Sequence, residues 1–153
     1  MKAMAEDVRI RMMEESDLED VLLVEHESFQ KPWSKNAFLN ELHINKFAHY
    51  LVVECDGRVI GYCGLWVIID EAHITNIAIL SHYRRQGYGQ RLLKEALQLA
   101  RNKGAERLSL EVRVSNLGAQ AMYQNFGFQT GGIRKNYYTD NQEDALVMWV
   151  MLR

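Results

Sequence analysis

The segment Arg84-Arg85-Gln86-Gly87-Tyr88-Gly89 lies between an apolar run and a long amphipathic helical pattern, and its residue types point to anion binding. Glycines at the mouth of a helix let a ligand approach the backbone without interference from a Cβ. The unpaired N–H groups of the first turn face that ligand, and the helix dipole favours negative charge there. Arg84 and Arg85 add positive charge, so the segment suits a phosphate or pyrophosphate. It is not a Walker loop, because no Gly-Lys-Ser/Thr follows, and it lacks the third glycine of the dinucleotide fingerprint. The same residues also suit a tight left-handed turn that starts a helix and binds nothing.

Glu111 interrupts an otherwise apolar strand pattern. It reads either as an exposed strand residue or, if partly buried, as a carboxylate of raised pKa able to act as a base near neutrality. Tyr123 falls on the helical pattern that follows. It reads as a packing residue with its hydroxyl at the surface, or as a proton donor to a developing thiolate. The histidines show no HExxH or i,i+4 pairing, and His49 and His73 are read as satisfying local hydrogen bonds, so no metal site is expected. Cys55 and Cys63 belong to no CxxC spacing and read as reduced core residues.

The elements that must position these groups follow from periodicity. Val8 to Met12 alternates as a half-buried strand. Ser16 with Glu19 has the capping-box spacing for a helix whose apolar face is Leu18, Val21, Leu22 and Phe29, stopped by Pro32. Ser34 is placed to cap a second helix through Leu42. Strands follow at Ala48 to Cys55 and Val59 to Ile69, joined by the hairpin signal Asp56-Gly57. A further strand spans Ala72 to Leu80, with Asp70-Glu71 as its turn. The helix after Gly89 carries Leu92, Leu93, Ala96, Leu97, Leu99 and Ala100 on one face and stops at Gly104. Arg107 to Val114 is a strand with Leu108, Leu110, Val112 and Val114 on one face and Ser109, Glu111 and Arg113 on the other. Asn116 to Phe126 is a short helix, and two strands close the chain, Phe128 to Tyr137 and Ala145 to Leu152. The order β-α-α-β-β-β-α-β-α-β-β predicts an α/β sandwich with a mixed sheet.

At 153 residues, 48% hydrophobic and 25% charged, the chain reads as one soluble globular domain over 1–153. A net charge of −2 argues against nucleic-acid binding. No apolar run approaches the ~20 residues that span a bilayer. Met1 to Asp7 lacks the apolar core of a signal peptide, so the expected location is the cytoplasm. Glu14, Glu15, Asp17, Glu19, Asp20, Glu25 and Glu27 occur with no Lys or Arg among them. They form either a solvated helix face or a surface that attracts a cationic substrate.

Taken in order, Asn76-Ile77-Ala78-Ile79, Arg84-x-x-Gly87-x-Gly89, Leu110-Glu111-Val112-Arg113-x-Ser115-Asn116 and Ala121-x-Tyr123-x-x-x-Gly127-Phe128 resemble the GCN5-related N-acetyltransferase (GNAT) superfamily over nearly the whole chain. Pro32-Trp33-Ser34, Leu110-Glu111-Val112-Arg113, Arg134-Lys135-Asn136-Tyr137-Tyr138 and Glu143-Asp144-Ala145-Leu146-Val147-Met148 resemble the RimI-type ribosomal-protein alanine N-acetyltransferases of bacteria. The resemblance implies a mixed, mostly antiparallel sheet of about seven strands flanked by about four helices. It implies acetyl-CoA as co-substrate and no metal. The backbone of Ile77, Ala78 and Ile79 would pair with the pantetheine arm. Amides from Arg84 and Arg85 through Gln86, Gly87, Tyr88 and Gly89 would hold the pyrophosphate, and Asn116 would contact the cofactor near its thiol. Glu111 would be the base and Tyr123 the acid. Pro32, Trp33, Tyr137 and Tyr138 would border the groove for the N-terminal peptide of a ribosomal protein.

The chemistry agrees with that implication. An α-amino group has a pKa near 8 against ~10.4 for lysine, so at pH 7 it offers several-hundred-fold more free amine. A glutamate of modestly raised pKa is then a sufficient base, and a tyrosine stays protonated for the departing thiolate. The expected activity is acetylation of the N-terminal alanine of a small-subunit ribosomal protein. Acetylation of other protein N-termini or of a small amine, and a non-catalytic acyl-CoA-binding regulatory module, are the rival readings. No contact with nucleic acid or membrane is expected, and the chain should be a monomer or a weak homodimer.

Overall fold

The computed structural model describes residues 7–152. Met1 to Glu6, most of the segment read above for a signal peptide, lie outside the described residues. Strands β1 (Val8–Met12), β2 (Ala48–Cys55), β3 (Arg58–Ile68), β4 (Glu71–Ile79), β5 (Arg107–Arg113), β6 (Gln129–Arg134) and β7 (Ala145–Met151) form one seven-stranded sheet in the order β1-β2-β3-β4-β5-β7-β6. Helices α1 (Leu18–Ser28), α2 (Lys35–His43), α3 (Tyr88–Asn102) and α4 (Leu117–Asn125) complete the fold. Every strand pair is antiparallel except β4–β5, which is parallel. That pair requires a crossover, supplied by α3.

Local chemistry accounts for most boundaries. Asp56 (φ 50°) and Gly57 (φ 87°) both have positive φ, the requirement of a type I′ hairpin turn. The Ser34 hydroxyl accepts the Ala37 amide at 3.2 Å and caps α2. The entry to α1 differs from the expected Ser16–Glu19 box. Asp17 Oδ2 accepts the Glu14 amide at 2.7 Å, and a 3₁₀ turn over Glu15–Asp17 precedes the helix. The Arg11 guanidinium fixes this shift by donating to both Asp17 oxygens, at 2.8 and 2.9 Å. The β3–β4 turn is Ile69-Asp70, with Ile69 at φ 58°, one residue earlier than expected. β6 ends at Arg134, short of the expected Tyr137, because Asn136 turns to φ 52° and its amide bonds Asp144 Oδ1 at 2.9 Å.

The helices cover the sheet's two faces. α1 and α2 pack where Tyr50 and Tyr62 project, with Phe38 edge-on to both rings. Tyr88 of α3 bonds Cys55 on the opposite face. The apolar face of α3 buries Leu92, Leu93, Ala96, Leu97 and Ala100, as its spacing predicts. Both cysteines are free and buried.

One irregularity shapes the sheet. β3 pairs Gly64 with Asn76 and Leu65 with Ile74, so Thr75 has no partner and forms a bulge. Gly64 allows it: a Cβ there would lie 2.5 Å from both Thr75 Oγ1 and the Tyr50 ring. The bulge at Thr75 lies two residues after His73, the last β4 residue paired with β5. Bulges bend the strand that carries them. Beyond that point β4 continues along β3 to Ile79 and β5 continues along β7 to Arg113, with no ladder between β4 and β5.

Candidate active site

The sheet is therefore wedged open from Ile74 onward. Backbone N–H and C=O groups facing such a gap require hydrogen-bonding partners from outside the sheet. A cleft of about 1190 Å³ occupies the gap, with Ile77, Ala78 and Ile79 on one wall and Leu110 to Arg113 on the other. Tyr123 and Asn116 also line it. An extended chain can add itself to the free edge of β4 as a strand does.

The Arg84-to-Gly89 loop closes one end of this cleft. Gly87 sits at φ 87° as the N-cap of α3, and Arg85 is left-handed at φ 61°. Arg84, Arg85, Gly87 and Gly89 line the cleft, as does the next residue, Gln90. The Arg84 side chain is committed locally: Nε donates to the Ile79 carbonyl at 2.8 Å and a terminal nitrogen lies 3.4 Å from Ser28 Oγ. Tyr88 is 3% exposed, a core side chain. Gln86 donates to the His82 carbonyl at 3.1 Å. Neither Gln86 nor Tyr88 lines the cleft. Asn116 caps α4, its Oδ1 accepting the Ala119 amide at 3.1 Å.

Glu111 projects to the face opposite Leu110 and Val112, as the alternation predicts, with its side chain 9% exposed. His73 Nε2 donates to its Oε1 at 2.7 Å. The Tyr137 hydroxyl lies 3.4 Å from the same oxygen, and Arg134 Nε is 3.6 Å from Oε2. Burial presses the carboxyl's pKa upward, but His73, Arg134 and Tyr137 outweigh it and hold the group below its ordinary value. This corrects the expectation of a raised pKa. The group is an oriented, ionised carboxylate at neutral pH. His73, read from sequence as a local hydrogen-bonder, is the residue that fixes it.

Tyr123 is 4% exposed, its ring 5.5 Å from Phe128. Among the described residues its hydroxyl bonds no protein group and no buried polar side-chain atom lacks a partner, so the hydroxyl meets the cleft. Burial pushes its pKa up, which keeps the proton on oxygen.

Two loops rim the outer cleft. Trp33 lines it from the α1–α2 loop and packs 5.4 Å from Phe38; Pro32, beside it, does not. Tyr137 and Tyr138 line it from the β6–β7 loop. Arg113 latches that loop, donating to Asp140 at 2.7 Å and Glu143 at 3.1 Å, with Tyr138 stacked 4.0 Å beneath its guanidinium. Lys31 Nζ reaches Thr139 Oγ1 at 3.1 Å, joining the two rims. The acidic run is divided: Glu14, Glu15, Glu19 and Glu27 are exposed, as a solvated face requires, while other members are tied into the structure. Asp17 binds Arg11, Asp20 accepts the Val59 amide and Glu25 is 1% exposed; Glu27, though exposed, accepts the Ser81 amide.

Solved structures share this fold. The crystal structure of the ribosomal-protein-S18-alanine N-acetyltransferase from Escherichia coli superposes with a TM-score of 0.87 at 32% identity, covering 95% of this chain and 94% of that one. The profile of the acetyltransferase (GNAT) family matches residues 14–128, and the chain belongs to that family. A Bacillus subtilis (strain 168) protein, provisionally described as a ribosomal protein bS18-alanine N-acetyltransferase, is 54% identical over 94% of this chain and 95% of its own length. The ribosomal protein bS18-alanine N-acetyltransferase of Escherichia coli K12 is 36% identical over 91% and 94%, respectively.

Proposed function

We propose that this protein transfers the acetyl group of acetyl-CoA to the α-amine of an N-terminal alanine, that of ribosomal protein bS18. The observation that supports it best is one continuous cleft that carries the free edge of β4, the Glu111 carboxylate and the Tyr123 hydroxyl. The likeness to bS18-alanine N-acetyltransferases over more than nine-tenths of the chain supports the choice of acceptor.

The residues present fit acetyl-CoA. A free strand edge matches an amide-containing pantetheine arm, and the α3 N-terminus beside Arg85 matches a pyrophosphate. Bound there, acetyl-CoA supplies an activated acyl thioester. The backbone of Ile77 to Ile79 would hold the arm, amides from Arg84 to Gly89 would hold the phosphates, and Asn116 lines the same cleft. Glu111, oriented by His73, accepts the proton that the acceptor nitrogen loses as it attacks. Tyr123 gives its proton to the departing thiolate. Trp33, Tyr137 and Tyr138 border the path of the peptide. Orientation of two reactants is the larger contribution, with acid–base groups adding ~10²–10⁴-fold.

Incubation with acetyl-CoA and a panel of peptides, read by mass spectrometry, tests this reading. The panel contains Ala-initiated bS18 sequences, other N-termini, internal lysines and spermidine. Acetylation of the Ala-initiated α-amine is expected. Acetylation confined to lysines or spermidine overturns the acceptor, and no turnover of any acceptor overturns the reaction.

A further inference from the structure

Glu25 lies in the last turn of α1 with 1% exposure, yet it lines the cleft. Its Oε2 accepts the Trp33 amide at 2.8 Å, eight residues ahead in the α1–α2 loop. Its Oε1 accepts the Tyr62 hydroxyl. Tyr62 in turn accepts from Asn76 Nδ2 at 2.6 Å, and Asn76 Oδ1 accepts the Thr75 hydroxyl at 2.7 Å. One carboxylate thus ties the rim at Trp33 to the bulge that opens the wedge.

The arrangement costs stability. Burial pushes the Glu25 pKa up, even though the Trp33 amide and Tyr62 hydroxyl oppose it. Buried ionic and polar groups are often replaceable as a set by apolar residues without loss of stability, so such a group is weak evidence of a purely stabilising role. What an apolar residue would not do is fix the Trp33 amide. That amide precedes the ring that borders the outer cleft, 5.4 Å from Phe38.

We propose that Glu25 is a positioning residue for the acceptor: it holds the α1–α2 rim at Trp33 in register with β4, so that an N-terminal peptide is gripped at the cleft mouth. This rests on the acetyltransfer reading for its substrate. It assigns Glu25 no part in proton transfer and no contact with acetyl-CoA, whose expected contacts lie on β4, the Arg84-to-Gly89 loop and α4.

Steady-state kinetics of the full chain with acetyl-CoA and an Ala-initiated peptide test it. Glu25→Ala strands two buried donors, whereas Glu25→Gln keeps one acceptor oxygen for the Trp33 amide. The peptide KM should rise about ten- to a hundredfold in Glu25→Ala and less in Glu25→Gln, on the scale of one hydrogen bond to a charged group. The acetyl-CoA KM and kcat should stay within about twofold. Amide hydrogen exchange at Trp33, without substrate, should speed up in Glu25→Ala. If Glu25→Ala fails to fold, Glu25→Gln carries both measurements. An unchanged peptide KM in a folded variant overturns the proposal, as does an equal rise in both KM values. A wild-type chain that acetylates nothing overturns the acetyltransfer reading instead, and Trp33 exchange then decides the anchor by itself.

Discussion

Replacing Glu111 with Gln removes the proposed proton acceptor and leaves the volume unchanged. Three donors surround this carboxylate, with His73 at 2.7 Å the shortest contact. They hold its pKa below the ordinary carboxylate value, so the wild-type group is fully ionised at pH 7 but a weak base. A weak base lies toward the lower part of the general-base range, so we expect Glu111→Gln to lower kcat about 10²–10³-fold at pH 7. The KM for acetyl-CoA should not change. The pH dependence separates two ways in which the carboxylate could act. An α-amine of pKa near 8 is about one-tenth free at pH 7 and about nine-tenths free at pH 9. If Glu111 only strips the ammonium before attack, the variant's deficit shrinks about tenfold between those pH values. If it takes the proton as the N–C bond forms, the deficit persists. Stopped assays with an Ala-initiated peptide at saturating acetyl-CoA give both numbers. A variant kcat within about twofold of wild type at pH 7 would refute the assignment of Glu111 as the base.

Tyr123→Phe keeps the ring against Phe128 and deletes a hydroxyl with no protein partner, so stability should stay within about 0.5 kcal/mol while kcat falls by ~10²-fold; a normal rate reassigns the acid. Gly87→Ala places a Cβ in open space but at φ 87°, so its cost is conformational, about 1–2 kcal/mol of stability in a denaturant melt; an unchanged midpoint would show that the turn relaxes. Asp17→Asn weakens the paired bonds to Arg11. The side-chain bonds from Arg11, followed by the Glu14 amide, outweigh burial and lower the Asp17 pKa in the folded state. Its stabilisation is therefore present above the unfolded pKa of ~3.9 and is lost as pH falls through the lower folded value. Wild type should exceed Asp17→Asn by about 1–2 kcal/mol near pH 7, discounting for the partly exposed Arg11, and the gap should close on acidification; a pH-independent gap contradicts the pairing.

The strands were legible because each carries its own periodicity. Arg107 to Arg113 alternates so strictly that the face of Glu111 followed from parity, and Asp56-Gly57 declared its hairpin through the need for positive φ. What stayed hidden depends on contacts between distant segments. Nothing local marks Thr75 as a bulged residue; its place comes from the space Gly64 leaves beside Tyr50. His73 looked like any polar strand residue until the last β4–β5 pair set it beside Glu111. Glu25 is indistinguishable in sequence from the exposed acids around it, because sequence cannot show that the chain folds back after Pro32 to hand the Trp33 amide to Glu25. The sign of the Glu111 shift failed for the same reason. Burial alone raises a carboxylate, and all three groups that reverse it come from other elements.

The acidity of the amine itself bears on which amine the protein would acetylate. Moving a proton from an ammonium to a carboxylate held below its ordinary pKa is uphill for any amine, but unequally so. The α-ammonium, near 8, starts closer to that carboxylate than a lysine ammonium near 10.4 does. The difference of ~2.4 units, about 3 kcal/mol, is independent of the exact position of Glu111 and of the shape of the cleft. The same difference would hold for a stronger or a weaker base, so it belongs to the amines and not to the carboxylate. What His73, Arg134 and Tyr137 add is an ionised, oriented proton acceptor. The intrinsic acidity of the α-ammonium then contributes several-hundred-fold of the choice before any side chain of the peptide is read. The rims at Trp33 and Tyr137–Tyr138 then need to distinguish one N-terminus from another, a smaller task than excluding every lysine on the ribosome.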